Sequence, residues 1–387
     1  MNDSNPKVFP NLTGDFVWSP VRPDHKVVTP PAPPAPLGPL AAFVGDWVGQ
    51  GFNTIFRPDN AVTPTPLPFP ITGSDNILEL NLTSETLSFS PSLGTVPNRG
   101  TQPQGDIFLN GVPYLQKVND VTTHGESVGI HFEPGIWIHV PATTVPPQGE
   151  TVCRMGSIPH GTTIEAQGTF VTVNGPPKID PADITPFKIG NPASKIKFSS
   201  QTASDPKTPR IPQDLSSFIA AGTITQAILD DPNKLLRDHI SKQKITKTIA
   251  IIINTQAPPV PFGGGTDNIA FLLGQAAATA PNANAVQMTA VFWIETVEEV
   301  IHVPPFKLGQ PPHLISAKAS VPGQRAARFA VHPPGELNAP REITVHFTQI
   351  QYTQTVFLNF KGLTWPHVSV NTLVPAHDIV IPPTVWG

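Results

Sequence analysis

The chain has 387 residues, 39% of them apolar and 13% charged, with a formal net charge of −4. Globular chains average about 25% charged residues, so the surface is unusually neutral, and nucleic-acid binding has no electrostatic footprint here. One cysteine, Cys153, excludes an internal disulfide, and no apolar run approaches the ~20 residues of a membrane helix.

The opening "MNDSNPKVFPNLTGDF" lacks a basic stretch followed by an apolar one, so it is not read as a secretory signal. With the lone cysteine, this predicts a cytoplasmic protein with neither membrane nor nucleic acid as partner. The 49 prolines act as punctuation, because proline is excluded from helix interiors and central strands. "TPPAPPAPLGPL" (29–40) is polyproline II-like, so residues 1–36 are set apart as a proline-rich arm.

At 45–51 stands "GDWVGQG". Its glycines suit a strand that bends at a barrel corner, and Trp47 suits a plug for the barrel floor. "DNILELNLTSETLSF" (75–89) alternates as a strand. In "GIHFEPGIWIHVPATT" (129–144), alternation places His131, Glu133, Gly135, Trp137 and His139 on one face. Phe132, Pro134, Ile136, Ile138 and Val140 share the other, which is the better core face; the first set lines a lumen or faces solvent. His131 and His139 stand about 26 Å apart at a rise of ~3.3 Å per residue, too far to share one ion on a straight strand. His131 and Glu133 are close enough to hydrogen-bond, and the plain alternative is a buried polar pair closing a barrel. Cys153 lies beside Arg154, which would depress its pKa if the two side chains met; a small core residue is the plainer reading.

"GTTIEAQGTFVTV" (161–173) is a further strand, preceded by His160 in a turn. A turn histidine at a barrel mouth suits a haem-iron ligand through a neutral ring nitrogen. Residues 214–243 read as helical, with Pro232 in a first turn and Leu235, Leu236 and Ile240 at helical spacing. The basic run 234–247 is a solvated helix end. Strands follow at 248–255, 284–297 and 341–360, and His367 lies just beyond the last. "GGGT" (263–266) has no helix with Lys-Ser/Thr behind it, so it is not a phosphate loop, and no Gly-x-Ser-x-Gly elbow occurs. No carboxylate pair stands out for acid–base work, and whether the chain is an enzyme stays open.

Repeats organise these strands. "PFKIGNP" (186–192) recurs 119 positions later as "PFKLGQP" (305–311); "TIEAQGTF" (163–170) matches "AVQMTAVF" (285–292), and "GIWIHVPATT" (135–144) matches "TIAIIINT" (248–255). "SETLSFSPSLGTVPNRG" (84–100) matches "TQTVFLNFKGLTWPHVS" (353–369) out of order, which a circularly permuted second copy would produce. The expected fold is mainly β: two calycin-like antiparallel barrels from an internal duplication, over 37–212 and 248–387, joined by a helical connector over 213–247.

Three blocks in order resemble the nitrobindin-like family: "LGPLAAFVGDWVGQG" (37–51), His131-Phe-Glu133-Pro-Gly135, and "SIPHGTTIEAQGTF" (157–170). They cover residues 37–173. The resemblance implies a ten-stranded barrel related in shape to fatty-acid-binding proteins, with haem inside. The sequence departs from it in the proline-rich insertion 57–73 and in having no histidine between His160 and His239, where a proximal ligand would stand. The functional expectation is a barrel holding haem or another planar apolar ligand. His131, Glu133, Trp137, His160 and His367 are the cofactor-binding candidates, and His160 or His367 the iron ligand. Phe132, Trp137, Phe170 and Phe357 would contact the ligand face, and iron with an open position would act on peroxide or nitrogen oxides. The alternative is a non-catalytic assembly protein with side-chain-filled barrels. A homo-oligomer is expected under both.

Overall fold

The computed structural model describes residues 35–386, apart from 63, 101–102, 124, 257–262, 268–282 and 322. Residues 1–34 of the proline-rich arm lie outside the described residues. Ten strands form the frame: β1 (Gly45–Pro58), β2 (Asn76–Phe89), β3 (Ile107–Asp120), β4 (Val128–Val140), β5 (Thr151–Ser157), β6 (Thr163–Asn174), β7 (Lys244–Asn254), β8 (Asn284–Val303), β9 (Arg341–Phe360) and β10 (Leu363–Pro375). Each pairs antiparallel with the next, and β10 pairs back onto β1 from Trp47↔Pro375 to Thr54↔Val368. The result is one closed, up-and-down barrel.

One ring replaces the two expected barrels and the permuted second copy. Residues 37–212 supply six of its strands and residues 248–387, with the start of β7, the other four. The matched blocks "TIEAQGTF" and "AVQMTAVF" flank β7 as its two neighbours. Alternation records that a strand has a buried face and an open one. It does not record which ring the strand joins, and that is why two sets of strand patterns read as two barrels.

The motif at 45–51 does what its residues suggest, with a further reason for the glycines. Trp47 is buried and its indole Nε1 donates to the Phe43 carbonyl at 2.7 Å. The 3-10 turn Gly38–Ala42 carries buried Leu40 into the same end of the barrel. A Cβ on Gly49 or Gly51 would sit 2.0 Å from the carbonyl oxygen of Thr372 or Val370, so the closing strand requires bare backbone there. Three prolines lie in the interior of the ten frame strands: Pro113, Pro134 and Pro366. Each stands just past the end of pairing on one side, beyond Tyr114↔Phe89, Gly135↔Gly156 and Val368↔Thr54. A missing N–H therefore leaves no ladder bond unmade.

The helical stretch is three short helices, α1 (Ser216–Ala221), α2 (Gln226–Asp230) and α3 (Lys234–Ile240). Gly222 ends the first in the left-handed region at φ 73°, and Pro232 separates the other two. They pack outside the barrel, not between two barrels. Leu215, Ile224, Ile228, Leu229 and Leu236 form one core with the outward side chains Phe52, Phe56, Leu80, Val368 and Val370. A second core fills one end of the lumen with Leu40, Phe43, Trp47, Trp137, Phe292 and Leu373. Strands β1, β2, β9 and β10 are thus buried on both faces. Among the described residues no helix is long and apolar enough to cross a membrane.

Under the helices lies a buried polar cluster. Gln349 Nε2 donates to Glu295 Oε2 at 2.7 Å, and Gln349 Oε1 faces His239 Nε2 at 2.9 Å. Glu295 is fully buried and its Oε1 has no partner among the described residues. Burial pushes this carboxyl up from 4.5 to about 8, against the Gln349 hydrogen bond. The folded chain then keeps a proton that the unfolded chain loses, so the group costs stability as pH rises from about 4.5 to about 8, and no more beyond. Glu295→Gln is expected to exceed the wild type in urea titrations by a margin that widens across that interval, on the order of a few kcal/mol at most. A margin independent of pH would show the carboxyl already ionised in the folded chain.

Candidate functional site

Above the apolar plug, the lumen stays open as a cavity of about 590 Å³. Its floor is set by one cation. Arg154 on β5 points inward and is 2% exposed, and Glu133 on β4 is 0% exposed. Arg154 Nη2 donates to Glu133 Oε1 at 2.8 Å and to Gln116 Oε1 at 3.2 Å. Its Nη1 donates to Gln354 Oε1 at 2.7 Å and its Nε to the Tyr114 hydroxyl at 3.0 Å. The Tyr114 hydroxyl in turn donates to Glu133. The guanidinium carbon lies 5.8 Å and 5.7 Å from the ring centres of Trp137 and Phe292, so the plug beneath it is also a cation–π surface. Gly156 makes room for this: a Cβ there would stand 2.3 Å from Glu133 Oε1.

A second carboxyl completes the floor. Glu85 on β2 accepts from Gln116 Nε2 at 2.8 Å, from Tyr352 at 2.6 Å and from Asn371 Nδ2 at 2.7 Å. The two carboxyls behave differently. Burial would raise Glu133, but Arg154 beside it, then the His131 and Tyr114 hydrogen bonds, hold it down at about 2. Burial pushes Glu85 up to about 7 against its hydrogen bonds from Tyr352 and Gln116. One cation and one firmly ionised carboxylate therefore form the core pair, and Glu85 is the group poised to hold a proton near neutrality.

Three of the histidines singled out by sequence meet in this cavity. His131, His160 and His367 all line it. His131 Nε2 lies 3.2 Å from Glu133 Oε2. The rings of His131 and His160 stand perpendicular with centres 5.3 Å apart. His367 Nε2 accepts from Asn53 Nδ2 at 2.7 Å. Burial, then repulsion from His131 and His160, pushes His367 down to about 4. Burial and His131 lower His160 as well. The pairing of β4 with β5 stops at Gly135↔Gly156, so the turn after β5 reaches the mouth and carries His160 with it.

The other assignments change. The odd-numbered face of β4 is the lumenal one, and the apolar even face points outward: Phe132 is 42% exposed. The lumen tolerates polar side chains on that inward face because Arg154 and its partners satisfy them. Trp137 belongs to the plug against Phe43 and Phe292, below the cavity. Phe170 packs by His139, and Phe357 by Phe187; neither lines the cavity. Glu133 serves through His131 and Arg154 rather than by facing an occupant. His139 sits at the plugged end, with Nδ1 2.9 Å from the Pro36 carbonyl oxygen. Cys153 and Arg154 point to opposite faces, and burial, with Glu165, pushes the thiol up to about 11 instead of down.

Sequence reading missed the floor itself: Glu85, Tyr114, Gln116, Arg154, Tyr352 and Asn371. Its signal was a lone Arg or Glu at an inward position of an otherwise uncharged strand, as in "TVCRMGS" (151–157). Among the described residues, no three His, Cys, Asp or Glu side chains are grouped to hold a metal ion. No protein-family model matches the chain, and neither a curated protein nor a solved structure does.

Breaking a buried pair leaves an uncompensated charge, which typically costs about 3–5 kcal/mol. Arg154→Met and Glu133→Gln are each expected to lose stability on that scale in urea denaturation. The Arg154→Met, Glu133→Gln double variant should lose clearly less than the two combined. Strict additivity would mean that the two side chains do not interact.

Proposed function

We propose that this chain is a binding protein for a small, mostly apolar ligand held in the lumen of its barrel. The observation that carries the reading is the cavity of about 590 Å³, within the range of about 300–1,000 Å³ usual for small-molecule sites. Ile158, Ile164, Met288 and Val356 give it an apolar wall, and three histidines with Asn53 and Ser369 give it a polar end. Such a mixture, mostly apolar with a few placed polar groups, is the usual build of a ligand site.

Haem is the occupant that the nitrobindin-like resemblance implies, and the residues present fit it at one histidine. His131 Nε2 is engaged by Glu133 and His367 Nε2 by Asn53. His160 has only its ring contact with His131 among the described residues, so it is the side chain that would hold iron. Haem iron with an open position supplies reactivity toward peroxide or nitrogen oxides. The chain's own part is to seat the macrocycle on the apolar wall and to exclude water from below, where the plug closes the lumen.

A second reading, self-association, is favoured by the outer wall of β4 to β7. Phe132, Met155, Val171 and Ile252 are 40–53% exposed there, an apolar surface of the kind that marks interaction sites. Light scattering on the purified protein should then give more than one copy per particle; a monomer at all concentrations would remove it.

Titration with hemin is expected to produce a Soret band that His160→Ala weakens or shifts and that Trp137→Phe leaves in place. A Soret band unaffected by His160→Ala would remove this histidine as the ligand. Failure of both hemin and an apolar fluorescent dye to enter the lumen would overturn the proposal.

A further inference from the structure

We infer that the β10 wall of the cavity is built to donate hydrogen bonds to a carbonyl oxygen of the occupant, through His367 Nδ1–H and the Ser369 hydroxyl. This deepens the lumenal reading and rests on it. The argument is one of direction. Asn53 Nδ2 lies 2.7 Å from His367 Nε2 and 2.7 Å from Ser369 Oγ. Asn53 Oδ1 accepts from Asn81 Nδ2 at 3.3 Å. An amide nitrogen only donates, so both of its partners must accept. His367 Nε2 therefore presents its lone pair to Asn53, and the single proton of the neutral ring sits on Nδ1.

Ser369 is placed alike. Its oxygen accepts from Asn53, which leaves the hydroxyl hydrogen free to donate. Among the described residues, neither that hydrogen nor His367 Nδ1 has a protein partner. Both residues line the cavity. They stand two positions apart on one strand, about 6–7 Å at the usual rise, so a single oxygen between the side chains can meet both donors. Asn81 and Asn53 act as positioning residues: their amides are engaged with each other, His367 and Ser369, and they set which ring nitrogen carries the proton. Beside these donors the lining includes the apolar side chains Ile55, Val356 and Leu358. The occupant that fits is an apolar body bearing a ketone, ester or similar carbonyl.

Two measurements test this on the full-length protein. Nitrogen-15 NMR of the histidine rings reads the tautomer directly, and His367 is expected as the Nδ1–H form. Asn53→Asp places a carboxylate acceptor against Nε2 and should move the proton there. Binding is read with the fluorescent ketone 6-propionyl-2-dimethylaminonaphthalene against 2-dimethylaminonaphthalene, which lacks the carbonyl. The ketone should bind about tenfold tighter, the effect of one well-made hydrogen bond. Asn53→Asp and Ser369→Ala should each reduce that preference, the second keeping the test open if the first fails to fold. An Nε2–H tautomer in the wild type, or equal affinity for the two dyes, overturns the assignment while leaving the lumenal reading intact. If neither dye binds, the lumenal reading falls and this assignment with it.

Discussion

Eight residue pairs, from Trp47↔Pro375 to Thr54↔Val368, join the first strand to the last, and everything inside the barrel depends on them. An open ten-stranded sheet would have two edges and no interior. Closure turns one face of every strand inward, into a space that no other element can reach. The bare backbone of Gly49 and Gly51 lets β10 come close enough for those pairs to form. The helices contribute from outside. They cover β1, β2, β9 and β10 with a second apolar core, so the seam is held from both sides.

The lumen is divided by chemistry. Below, aromatic side chains pack edge to face, as Trp137 does with Phe43 and Phe292. Above, Arg154, Glu133, Gln116 and Gln354 hold one another in a plane of hydrogen bonds. Such a floor cannot collapse upward without breaking charge-assisted bonds, so the space over it is kept. The same floor sets the histidines. Glu133 engages His131 from beneath, and burial first, then repulsion from His131, keeps His160 and His367 toward their neutral forms.

Much of the wall was legible, because the strands at 75–89, 161–173, 284–297 and 341–360 alternate cleanly and fold as strands. Trp47 in its glycine setting was legible as a plug for the same reason: a large aromatic among residues without side chains has few other uses. The meeting of His131, His160 and His367 was readable only as three separate candidates, since their proximity is a product of ring closure. The floor was not legible. Arg154 was weighed as a neighbour of Cys153, yet pleating sends adjacent side chains to opposite faces. Two rings were inferred where one forms, because local periodicity carries no information on long-range pairing. The odd-numbered face of β4, read as lumenal or solvent-facing, is lumenal, and Phe132 on the even face is the contact that changes place: polar residues face in when a buried ion pair is there to receive them.

The seam has a kinetic side as well. Asn53 and His367, hydrogen-bonded across it, are 314 positions apart in sequence. Most other neighbours in the ring are joined by local hairpins, which form early and fast, whereas contacts of such long range form late. Until the final strand docks, the nascent sheet carries two raw borders, and its hollow does not yet exist. The chain therefore acquires its interior in a single last act, and any species that stalls before it presents unpaired strand margins to its neighbours.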